Sequence, residues 1–171
     1  MVEMNDEPKN PDAEPPLPEP MEQLRRRRRS HEPQDEVSPE PVGRSSPQRL
    51  AHALERARIC ARIAFENRAK DIALLDLRKA TSLVDYFVIA TAPSRRQANA
   101  IVSEIDQEMK KIQEFKLGME GSEEGRWTLI DYGDFVVHIL SAEARDYYAL
   151  EDIWGDAPRI AWQAEGDSSP G

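Results

Sequence analysis

Between Gln48 and Asn67 the residues Leu50, Ala53, Leu54, Ala57, Cys60, Ala61 and Ala64 recur three and four apart, with Arg49, Glu55, Arg56, Arg62 and Glu66 between them. That period predicts an amphipathic helix with one face for the core. Two continuous apolar runs follow, Ile72-Ala73-Leu74-Leu75-Asp76-Leu77 and Tyr86-Phe87-Val88-Ile89-Ala90-Thr91, as expected of strands covered on both faces. Pro93 stops the second run. Ser94-Arg95-Arg96-Gln97 then has capping-box spacing, so a second helix is predicted from there to about Phe115, with Ala98, Ile101, Val102, Ile105, Met109 and Ile112 on one stripe. Gly118, Gly121 and Gly125 punctuate a loop carrying Glu120, Glu123 and Glu124. Trp127 to Ile130 and Phe135 to Leu140 read as two strands joined by the acidic turn Asp131-Tyr132-Gly133-Asp134. Ala144, Tyr147, Leu150, Ile153 and Trp154 predict one or two closing helical turns, ended by Gly155 and Pro158. The order α-β-β-α-β-β-α argues for an α/β (α+β) domain, one mixed β-sheet flanked by helices.

Composition restricts that domain to part of the chain. Ten of the thirteen prolines lie in residues 1–47, where large apolar side chains are sparse and Glu, Asp and Arg abound. Such a segment buries too little surface to offset chain entropy, so residues 1–47 are expected to form a disordered N-terminal arm. Residues 48–162 hold nearly all the aliphatic and aromatic side chains and make one domain, and 163–171 a flexible tail. Within the arm, Arg25, Arg26, Arg27, Arg28 and Arg29 are consecutive. They read either as a solvated charge block, the simpler alternative given the flanking acids, or as a tether for RNA.

Charge and cysteine usage narrow the chemistry. A net charge of −9 disfavours free nucleic acid as the primary ligand and suits a basic protein surface. The single Cys60 allows neither an internal disulfide nor a zinc site of ordinary spacing, and its place on the apolar stripe of the first helix points to the core. No apolar run approaches a membrane span and no leader pattern opens the sequence, so a cytoplasmic location is expected. His138 alternates with Val137 and Ile139 and is expected to face the surface.

Catalysis lacks a constellation. No nucleophile stands beside a base and an orienting third group. The strongest enzymatic alternative is a metal-dependent nucleotidyltransferase using Asp76, Asp85, Asp131 and Asp134, but no Asp-x-Asp stands on a predicted strand and no phosphate loop is present. Asp131 and Asp134 are more simply turn formers, with Gly133 supplying a positive φ. No cofactor, metal or small-molecule substrate is therefore expected, and binding leads. Trp127 is either a core aromatic or an interface anchor, Tyr132 at the turn is expected to be exposed, and the nearby carboxylates would form a negative rim.

Several ordered motifs share one resemblance: Asp85 through Thr91, Ser94-Arg95-Arg96-Gln97, Glu120-Gly121, Gly125-Arg126-Trp127, Asp131-Tyr132-Gly133-Asp134, Val137-His138, Arg145-Asp146-Tyr147-Tyr148 and Leu150-Glu151-Asp152-Ile153-Trp154. Together, over roughly Gln48 to Trp154, they resemble the ribosomal silencing factor family, also called RsfS or Iojap-like. The resemblance implies a nucleotidyltransferase-like topology without the transferase site, and a non-enzymatic function. It implies binding to the large ribosomal subunit through ribosomal protein fourteen, beside rRNA, so that the small subunit is blocked from joining and translation is repressed. An assembly role on the large subunit would use the same surface, and the free protein would form a homodimer. Carried onto matching positions, the partner-binding candidates are Trp127, Asp131, Tyr132, Gly133 and Asp134, with Ser94, Arg96 and Gln97 near the same edge. Ala92-Pro93-Ser94 departs from the Gly-containing turn often found there, and the arm with its arginines lies outside the resemblance.

Overall fold

The computed structural model describes residues 17–30, 47–121 and 126–163. Among these residues five helices, α1 Glu19–Ser30, α2 Pro47–Glu66, α3 Arg95–Lys111, α4 Ala142–Tyr148 and α5 Leu150–Ile153, accompany five strands, β1 Lys70–Asp76, β2 Tyr86–Thr91, β3 Gly118–Gly121, β4 Trp127–Asp131 and β5 Phe135–Leu140. The strands form one sheet in the order β1-β2-β5-β4-β3. Only β2 and β5 are parallel, and the other neighbours are antiparallel. A mixed sheet flanked by helices is the predicted class.

Each half of the sheet's alternation has its own cover. Leu74, Val88, Ala90, Ile130, Val137 and Ile139 meet α2 and α3 on one face. Leu75, Phe87, Ile89, Leu129, Val136 and Leu140 meet Met21 and Leu24 of α1, Ala144 of α4 and Leu150 of α5 on the other. Every residue of β2 and of β5 is buried as a result. The buried face of α2 is mostly Ala53, Ala57, Cys60, Ala61 and Ala64, small side chains that let its backbone approach the strands closely. Cys60 is fully buried there, and burial raises its thiol pKa well above the ordinary value. The folded protein should therefore resist alkylation by iodoacetamide and react only on denaturation; rapid labelling under native conditions would contradict this packing.

Helix α3 begins as its sequence predicts. The Ser94 hydroxyl accepts from Gln97 N–H at 3.2 Å and donates to Gln97 Oε1 at 3.1 Å, so the reciprocal contact is made hydroxyl to amide. It ends sooner than expected: Gln113 has φ of 60° and Phe115 is exposed. The chain then turns into β3, a strand where a loop was expected, because residues 118–121 pair in full with 128–131. Glu123, Glu124 and Gly125 lie outside the described residues, as do most of the expected tail and His31.

The expectation of an arm disordered throughout residues 1–47 is corrected over Glu19–Ser30. Met21 and Leu24 stand three apart on one side of α1 and are fully buried against the sheet, which supplies the apolar contact that average composition conceals. Residues 1–16 and 31–46 are outside the described residues.

Candidate functional site

The acidic turn is built by its own backbone chemistry. Tyr132 N–H donates to Phe135 O at 3.0 Å, closing the β4–β5 hairpin. Gly133 takes φ of 92°, a left-handed value that glycine adopts without steric cost. Asp131 Oδ1 accepts the Gly133 N–H at 2.8 Å, the short side-chain-to-backbone bond that makes Asp a turn former. Asp131 thus holds the turn through its side chain.

The register decides where each carboxylate points. Trp127, Leu129 and Asp131 alternate toward the α1 face, and Gly118 and Glu120 stand opposite Asp131 and Leu129 on β3. Asp131 is thus directed onto a largely apolar face and is fully buried, where a carboxylate needs cations. Two arginines of α1 meet that need: Arg28 Nη2 lies 2.8 Å from Asp131 Oδ1 and also donates to Gly133 O, while Arg27 Nη1 lies 3.4 Å from Asp131 Oδ2 and Arg27 pairs with Glu120. The Arg27 guanidinium fills the space in which a side chain at Gly118 would stand. Outside α1, Asp134 receives Arg49 Nε at 2.8 Å, and that carboxylate's hydrogen bond and charge raise the Arg49 pKa. The turn is a receptor for guanidinium groups on two sides.

Two expected surface aromatics are interior. Tyr132 is 4 % exposed and stacks on Phe135, with centroids 5.0 Å apart. Its position continues the alternation of Ile130 onto the α2–α3 face, so the turn carries its ring inward and burial raises its pKa. Its hydroxyl has no hydrogen-bond partner among the described residues. Trp127 is 1 % exposed, its indole Nε1 donating to His138 Nδ1 at 3.1 Å and its ring 4.7 Å from that of Tyr148. Of the two alternatives for Trp127, the core is observed.

His138 is also interior, against expectation, since β5 is covered on both faces. An indole N–H only donates, so Nδ1 must be the bare nitrogen and the imidazole neutral with its proton on Nε2. Burial, then the positive charge of Arg145, lowers its pKa to about 3. This ring and that of Phe87 make a T-shaped contact with centroids 4.5 Å apart.

The candidate residues do not share one edge. The β2–β5 register runs from Tyr86 opposite Phe135 to Thr91 opposite Leu140, about 16 Å at strand spacing. Asp131 to Asp134 lie at the first end. Ser94, Arg96 and Gln97 follow the second, where Ser94 shares an open cleft with Arg126, Ser141 and Glu143. Trp127, opposite Leu140, belongs to that far end too. The resemblance had placed these residues near the same edge, and the parallel pairing separates them. Asp76, one of the four carboxylates of the enzymatic alternative, is held by Arg78 at 2.6 Å, whose hydrogen bond lowers its pKa.

Residues 50–170 match the family described as "Ribosomal silencing factor during starvation". "Ribosomal silencing factor RsfS" of Bacillus subtilis is 43% identical over 103 residues, 59% of this chain and 86% of that protein. "Protein Iojap, chloroplastic" of Arabidopsis thaliana is 36% identical over 124 residues, 71% of this chain and 49% of that protein. A crystal structure of a Chromobacterium violaceum protein superposes with a TM-score of 0.57 at 34% identity, covering 64% of this chain and 91% of that one. With the family match spanning residues 50–170 and a solved neighbour sharing the fold, the chain belongs to the ribosomal silencing factor family.

Proposed function

We propose that this protein binds the large ribosomal subunit through ribosomal protein fourteen, beside rRNA, and represses translation by keeping the small subunit from joining. The match to the silencing-factor family over residues 50–170 carries the reading. The acidic turn supports it, because Asp131 and Asp134 already engage guanidinium groups and a basic protein surface offers the same chemistry. The mechanism is occupancy. An interface of roughly 800 Å² per partner suffices for stable docking, and the bulk of a domain on the joining face then excludes the other subunit. No bond is made or broken, no cofactor is needed, and the site of action is the cytoplasm. In the free protein a homodimer fits the outer strand β3, where exposed Met119, with Phe115 and Leu117 just before the strand, offers apolar surface.

The partner-facing residues within this proposal are Asp131, Gly133 and Asp134. Ser94, Arg96 and Gln97, at the other end of the sheet, would form a second contact area. Added protein should shift sucrose-gradient profiles from joined ribosomes to free large subunits. Asp134→Arg, at a half-exposed position, should weaken that shift about tenfold by placing like charge against a basic partner. Unchanged profiles at saturating wild-type protein would overturn the proposal.

A further inference from the structure

We propose that the acidic turn is a receptor for arginines on a helix, that α1 is its intramolecular occupant, and that the basic partner gains access by displacing α1. This rests on the reading above, in which the partner takes the same carboxylates. In this structure Asp131 is fully covered, and what covers its carboxylate is Arg27 and Arg28. A partner that needs Asp131 must first remove them.

The fit is specific in geometry. Met21, Leu24, Arg27 and Arg28 lie on one side of α1 at spacings of three and four, so the helix sets its apolar pair on the sheet and its guanidinium pair on the turn together. Gly118 leaves the Arg27 head its place. Arg26 points away, its side chain 72% exposed beside Glu22.

The fit is also incomplete, as a displaceable occupant requires. Arg28 Nε is buried with no acceptor among the described residues. A helix of 12 residues is marginal in water by itself, so α1 owes its order to docking. It precedes the family-matched region, and residues 31–46 tether it, so release leaves it close at hand and competing again. The partner's apparent affinity then falls in proportion to the fraction of molecules with the turn uncovered.

Hydrogen–deuterium exchange of the full chain, read on peptides spanning 19–30, reports docking, and co-sedimentation with purified large subunits reports affinity. Wild type should show protected amides in α1. Met21→Asp with Leu24→Asp should abolish that protection and tighten subunit binding about tenfold, with all arginines retained. Arg27→Gln with Arg28→Gln should act in the same direction. Unprotected amides in wild type, protection that persists in the Met21 and Leu24 variant, or lost protection with unchanged or weaker binding would each overturn the occupant role. Weaker binding by the arginine variant alone would mean that those arginines contact the subunit themselves, which also overturns it. In these cases wild type still binds and the silencing reading stands. If neither wild type nor variants bind at saturation, that reading fails and takes the occupant role with it.

Discussion

Trp127→Ala is expected to cost about 3–5 kcal/mol of folding stability, the range for emptying a buried aromatic site. The loss is large against a total of roughly 5–15 kcal/mol for a domain of this size. The ring is enclosed between His138 and Tyr148, and its removal also strands the bare Nδ1 of His138. Trp127→Phe separates the two contributions. It keeps most of the ring and deletes the donor, and should cost about 1–3 kcal/mol. Urea unfolding monitored by circular dichroism measures both. Ribosome binding by the alanine variant should fail only in proportion to the unfolded fraction. A variant as stable as wild type that no longer binds would instead make Trp127 a contact residue.

The second large effect is a loss of stability in mild acid. His138 titrates near 3 in the folded chain and near its ordinary value of 6.5 when unfolded. Between those values the unfolded state holds the extra proton, so the stabilisation present above pH 6.5 is lost as pH falls toward 3. The slope is about 1.4 kcal/mol per pH unit. Asp76 and Asp106, whose pKa values are lowered by hydrogen bonds from Arg78 and from Lys110 and Lys116, contribute only below the ordinary carboxylate range. The interval from about pH 6 to 4.5 therefore isolates the imidazole. His138→Gln, which can still accept from Trp127, should flatten the unfolding free energy across that interval. An equally steep variant would place the acid sensitivity elsewhere.

Much of the fold was legible because burial imposes period. The stripe on α2, the uninterrupted runs of β2 and β5 and the cap at Ser94 each follow from a local rule, and each is where expected. β3 was not legible, since Gly118-Met119-Glu120-Gly121 has little strand propensity and is a strand only because β4 offers it a ladder. The site was read less well for a related reason. Turn chemistry announced Asp131 and Gly133, but whether Tyr132 turns out or in depends on the parity of its register with Ile130. The distance between Ser94 and Asp134 depends on β2 and β5 running parallel, which no local pattern states. Arg27 and Arg28 were read only as part of a charge block or an RNA tether, and their docking on Asp131 was hidden by a composition that argues for disorder; the available signal was the pair Met21 and Leu24 one helical turn before them.

The β2–β5 seam has a consequence for how the chain folds. β1–β2 and β4–β5 are antiparallel neighbours close in sequence, and β3 joins β4 across a short connection. Joining the two halves requires residues 86–91 to find 135–140, and that long loop must close before any cross-seam contact rewards it. Side chains buried along this seam, such as Val88 and Val137, are therefore expected to govern the folding rate, and those at the outer strands mainly the rate of unfolding.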